Sequence, residues 1–159
     1  MSIITIEYIE KALNKVDGLS EDALDKLIEM YALKQEALLN YVMLAGIEYE
    51  NEDLNVFSIY YFAVVLEAFQ QQGIDLKEIT EEDIDAFQDP FLLTLDAINK
   101  EEDYTPLHEL VNQPSLLQFM VNEIDSEDED GEVLDEETKT QLFIVTSSMI
   151  GLMNVAAQK

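Results

Sequence analysis

Val56-Phe57-Ser58-Ile59-Tyr60-Tyr61-Phe62-Ala63-Val64-Val65-Leu66-Glu67-Ala68-Phe69-Gln70-Gln71-Gln72 is the stretch on which the fold turns. Its β-branched and aromatic residues would suit a strand, and periodicity alone does not exclude one for part of the run. Its length exceeds that of an ordinary strand, Glu67 interrupts the apolar series, and Gln70-Gln71-Gln72-Gly73 reads as a helix end. Wound as a helix, the segment is apolar on nearly every side, and such a helix is buried on nearly every side. It is expected to be the central helix of the molecule.

The flanking sequence repeats the helical signal. Ile6, Ile9, Leu13 and Val16 recur at three- and four-residue steps within residues 3–16, closed by Asp17-Gly18. Ser20 caps a long helix carrying Glu21 and Asp22 in its first turn, with a stripe from Leu24 through Tyr31 and Leu38 to Ala45 and a stop at Gly46. A hydrophilic link, residues 48–55, leads into the central run. Thr80 with Asp83 forms a capping-box start for Glu81–Gln88, and Asp89-Pro90 starts a further helix with proline at its favoured first position. Pro106 and Pro114 start two more. The likeness of Pro90-Phe91-Leu92-Leu93 to Pro114-Ser115-Leu116-Leu117 is explained by shared helix-start chemistry, not by a repeat.

The last element runs from about Glu136 to Gln158 and has no charge from Thr140 onward, long enough to raise a membrane span. Thr140, Gln141, Thr146, Ser147, Ser148, Asn154 and Gln158 make a lipid-facing helix unfavourable. Leu142, Phe143, Val145, Met149, Ile150, Leu152 and Met153 are therefore expected in the core, with Ser147 and Gly151 permitting close helix contact. The expectation is an all-α, single-domain bundle of about seven helices spanning residues 1–159.

Charge bounds the function. The chain has 35 Asp and Glu against 8 basic residues, all of them Lys, for a formal charge of −27. That is about one net negative charge per 300 Å² of surface. Such a surface repels nucleic acid and anionic membranes, and without the arginine fork a dedicated phosphate site is not expected. Neither cysteine nor a signal-peptide pattern is present, so the expected compartment is the cytoplasm.

Catalytic templates fail on missing parts. One histidine, no cysteine and five scattered glycines exclude a multi-histidine zinc site, a di-iron bundle, a phosphate-cradling loop and a dinucleotide fingerprint. His108 has no nucleophile-elbow sequence to serve, and it reads as a surface polar residue. No catalytic residue is assigned, and no bound cofactor is expected unless calcium binds the segment described next.

Residues 125–137 carry nine acids in thirteen positions. Over Ser126–Glu137 alone this segment resembles an EF-hand calcium loop. The resemblance implies ligands at Ser126, Asp128, Asp130, the carbonyl of Glu132 and a bidentate Glu137, with Gly131 at the sharp turn. The pattern departs at Ser126, where Asp is usual, and at Leu134, usually polar, and no second loop pairs with it. An acidic solvated loop accounts for the same residues.

Four functional readings follow. The leading one is a regulator, inhibitor or adaptor that binds another protein, a basic one if charge steers the encounter. The second is a mimic of nucleic acid that occupies a DNA-binding protein's groove, with Glu81, Glu82, Asp83, Asp85 and Asp89 as candidate phosphate substitutes. The third is a weak calcium-binding module, and the fourth an enzyme that uses carboxylates with an added metal. A largest groove lined by apolar side chains favours the first reading, and one lined by acids favours the second.

Overall fold

The computed structural model describes residues 3–126 and 134–158. Among them there are eight helices and no strand: α1 (Ile6–Asp17), α2 (Glu21–Lys34), α3 (Glu36–Glu48), α4 (Glu52–Gln71), α5 (Glu81–Glu101), α6 (Thr105–Val111), α7 (Pro114–Asp125) and α8 (Glu136–Ala157). The all-α bundle expected from the sequence is the one observed.

Helix α4 occupies the centre and packs against α1, α2, α3 and α8. Every residue from Tyr61 to Phe69 is buried, so the run that looked apolar on all sides is covered on all sides. The helix starts earlier than the periodicity suggested, because Asn51 caps it by accepting the Leu54 N–H at 3.1 Å. Its amide also donates to Thr138 Oγ1 and Gln141 Oε1, both at 3.0 Å, tying the start of α4 to α8.

Two expected boundaries are corrected. The helix expected over residues 21–45 is two helices that meet at Gln35, and the second runs past Gly46 to Glu48. Gln35 leaves the helical region (φ −136°, ψ 53°) and is buried. Its side chain accepts the Ile79 N–H at 2.8 Å and donates to the Lys77 carbonyl at 2.9 Å, satisfying the segment that leads into α5. Gly46 serves close approach instead of termination: a Cβ there would lie 2.3 Å from Asn55 Oδ1.

The second correction concerns Pro90, which starts no helix and lies inside α5. The capping box of Thr80 and Asp83 is present, and the buried series Ile84, Phe87, Phe91 and Thr94 runs through the proline without changing face. Ala86 and Pro90 are both exposed, so the backbone interrupted by the ring lies away from the core. Pro106 and Pro114 do stand in the first turns of α6 and α7. Pro90 and Pro114 are thus not equivalent, and their shared helix-start reading fails.

Helix α8 is long and apolar enough to cross a membrane by composition, yet 72% of its most apolar window is buried inside the fold. Leu142, Val145, Met149, Ile150, Leu152 and Met153 are core as expected, whereas Phe143 is only half-buried. Ser147 is fully buried, and a Cβ on Gly151 would lie 2.5 Å from the Phe87 ring. The Asn154 side chain accepts from Gln113 Nε2 at 2.9 Å, and Gln113 Oε1 accepts the Ile4 N–H at 2.9 Å, joining the two ends of the chain.

Candidate functional site

Helices α5 to α8 do not close completely on one another. Between them lies a groove of about 570 Å³. Its apolar wall consists of Leu95 and Ile98 of α5, Leu107 of α6, Leu117, Val121 and Ile124 of α7, and Phe143 and Ile144 of α8. Asn99, His108, Gln118 and Thr140 add neutral polar atoms, while Asp125, Glu136 and Lys139 supply charge.

Local backbone chemistry sets this opening. Glu102 ends α5 with φ 51° and Asn112 ends α6 with φ 54°, left-handed positions that turn the chain sharply. Pro106 and Pro114 restart it, so α6 is held to a short helix between two turns. Helix α7 buries Leu116, Leu117, Met120 and Ile124 and leaves Val121 at the groove, 38% exposed.

Lys139 is a half-buried cation of the groove, with a side chain 19% exposed. Its ammonium lies 3.6 Å from Asp125 Oδ1 and 3.7 Å from Glu136 Oε1. Both separations exceed hydrogen-bond length, so the pairs are Coulombic contacts without a bonded proton. Asp125 and Glu136 also bracket the acidic segment, which therefore begins and ends at this groove.

The calcium ligands read from the sequence are placed only in part. Asp128, Asp130 and Glu132 lie outside the described residues. Ser126 follows the last turn of α7, its hydroxyl donating to the Glu123 carbonyl at 2.8 Å. Glu137 sits in the first turn of α8 and accepts from Gln141 Nε2 at 3.3 Å. Among the described residues no three His, Asp or Glu side chains are grouped to hold a metal. Of the acids proposed to imitate phosphates, Asp83 is used in the capping box, and Glu82, Asp85 and Asp89 form one exposed row along α5. His108 is exposed at the groove, whose lining contains no serine, and the Thr140 hydroxyl donates to the Glu136 carbonyl at 3.0 Å.

Two carboxylate clusters escaped the sequence reading. Glu67, 2% exposed, accepts from Lys15 Nζ at 2.7 Å, from Gln71 Nε2 at 3.0 Å and from the Tyr31 hydroxyl. Burial pushes its carboxyl up, but these donors and the Lys15 charge outweigh burial and hold it below the ordinary 4.5. Burial, then Glu67, pushes the Tyr31 hydroxyl well above its usual range. In the second cluster Tyr60 donates to Asp17 and Tyr61 to Glu123 Oε1, the latter at 3.3 Å. Burial and the neighbouring Asp17 raise the Glu123 carboxyl despite the Tyr61 bond. The signal for Glu67 was its lone charge in an apolar helix. Neither the Asp17 nor the Glu123 pairing had a signal, since both partners are distant in sequence.

No family model, no curated protein and no solved structure matches this chain.

Proposed function

We propose that this protein works by binding another protein, as a regulator, inhibitor or adaptor, and that the groove between α5 and α8 takes an amphipathic segment bearing apolar and basic side chains. The observation that carries this reading is an apolar groove edged by carboxylates on a protein of charge −27. Apolar side chains seated against Val121, Phe143 and Ile144 would supply affinity, and the surrounding field would steer a cationic partner toward the surface. The partner's helical stripe would meet the apolar side chains that α7 and α8 place in the groove. A polyanion mimic would present rows of carboxylates at its recognition surface, whereas eight apolar residues line this groove.

A synthetic peptide of leucine and lysine, with leucine at helical three- and four-residue spacing, is the direct probe. Titration calorimetry should give saturable binding that Val121→Asp weakens by about tenfold or more, as expected when a charge enters an apolar contact. The substitution also makes the protein more negative. Attraction by diffuse charge would therefore leave binding unchanged or tighten it, and that result would overturn the groove.

A further inference from the structure

The groove contains a cation of its own. Lys139 stands in the first turn of α8 and lines the groove, with only 19% of the side chain exposed. Asp125 and Glu136, by contrast, are 66% and 95% exposed, so both are free to swing toward solvent or a docked segment. The ammonium reaches them at 3.6 and 3.7 Å, and among the described residues it makes no hydrogen bond to the protein. Among the described residues this is the one lysine lining the groove.

We infer that Lys139 is a specificity-determining residue of the groove, an internal competitor that occupies the Asp125 and Glu136 carboxylates until a partner's cation displaces it. The inference rests on the groove being a protein-docking site and deepens that reading. The physical basis is an exchange. Exposed pairs at these distances are weak, so displacing Lys139 from them costs little. A guanidinium from the partner would take the same oxygens with paired, shorter bonds, and an arginine is therefore favoured over a lysine at this point. A segment with apolar side chains but no cation gains nothing from the displacement. Lys139 thus lowers the affinity for cationic occupants that must displace it, and an arginine, with its paired bonds, recovers more of that loss than a lysine does.

The alternative role for Lys139 predicts the opposite sign. If its ammonium were a contact for an acidic group on the partner, its removal would weaken binding. The leucine–lysine peptide, an arginine version and a neutral leucine–glutamine version should be titrated against wild type, Lys139→Met and Lys139→Gln. Met keeps the length of the apolar stem, and Gln keeps the variant informative if Met perturbs folding, which helix content by circular dichroism will show.

Both variants should bind the basic peptides about three- to tenfold more tightly, the scale of an exposed ion pair or slightly above. Their affinity should also fall more steeply with sodium chloride, because a net pair is then formed instead of exchanged. A purely structural role for Lys139 would lower stability without changing that salt slope. The neutral peptide should respond little. Unchanged or weaker binding of basic peptides by both variants, in a protein whose wild-type binding is sensitive to Val121→Asp, overturns the role of Lys139 alone. Absence of binding by wild type and variants alike overturns the groove itself and this inference with it.

Discussion

The two halves of α8 invert the usual relation between polarity and burial. From Val145 to Asn154 the helix contains Thr146, Ser147, Ser148 and Asn154, and every residue is buried. Toward the N-terminus, the large apolar Phe143 and Ile144 are half-buried and face the groove. Neighbours make the difference. The C-terminal half is covered by Phe87 of α5 and Val111 of α6 around Gly151, and two of its hydroxyls find partners: Thr146 Oγ1 donates to the Leu142 carbonyl at 2.7 Å, and Ser148 meets the Tyr41 hydroxyl at 2.8 Å, whereas the buried Ser147 hydroxyl has no partner among the described residues. Small polar residues also let the helices approach closely, as Gly151 does beneath Phe87. The N-terminal half is tied to the start of α4 through Asn51 and to Asp125 of α7 through Lys139, and it leaves Phe143 and Ile144 on the open groove. Completed packing marks the core, and unfinished packing marks the site.

Substitutions along α8 should break this comparison or sharpen it. Ile150→Asp places an unpaired charge in a fully buried position and should cost more than about 4 kcal/mol, enough to unfold a marginal domain. Ile144→Asp, six residues earlier, should cost less than half of that, since its side chain can reach solvent through the groove. Chemical denaturation measures both. Equal costs would mean that the groove is closed in solution.

The buried carboxylate Glu67 and the half-buried Glu123 should respond to acid with opposite signs. Glu67 titrates below its ordinary 4.5 in the folded protein, so its contribution is complete above that value and is lost as pH falls through the lowered one. Glu123 is raised, so its charged form costs stability above the raised value, and the cost disappears as pH falls. Glu67→Gln should therefore destabilise at neutral pH by about 2 kcal/mol, the scale of a hydrogen-bonded charge, with the deficit shrinking in acid. Glu123→Gln should stabilise at neutral pH and lose that gain in acid. Parallel pH profiles for the two variants would contradict both assignments.

Gly151→Ala should cost about 1–3 kcal/mol through overpacking against Phe87. A loss below that range would show that the ring can move. Smaller still is the general salt effect. With 35 acids against 8 bases, raising sodium chloride to about 0.1 M, where the screening length is near 10 Å, should raise the melting temperature. A flat response would place the repulsion outside the folded surface.

Much of the fold was legible because its signals are local. Ser20, the Thr80–Asp83 pair and the all-round apolar character of α4 each act within a few residues, and each appears in the structure as read. What failed was decided at a distance. Gln35 breaks a helix by bonding to backbone more than forty residues away, and no glycine or proline marks the place. Pro90 obeys no local start rule because the face of α5 through Ile84, Phe87, Phe91 and Thr94 is buried in the fold, Phe87 against Gly151 of α8, while the proline stays on the exposed side. The groove was the least legible feature of all. Four helices supply its wall, and periodicity registers that α7 and α8 are apolar without telling which apolar residues remain uncovered.

Where a basic amphipathic segment binds on the surface decides the matter most directly. Backbone amide shifts of the labelled protein, followed by NMR during titration with the leucine–lysine peptide, report that location residue by residue. Docking in the groove predicts saturating shifts concentrated at Leu107, Val121, Ile124, Phe143 and Ile144, with the buried half of α8 from Val145 to Asn154 little affected. Shifts spread over exposed acids such as Glu82, Asp85 and Asp89, with the groove residues unmoved, would contradict the account.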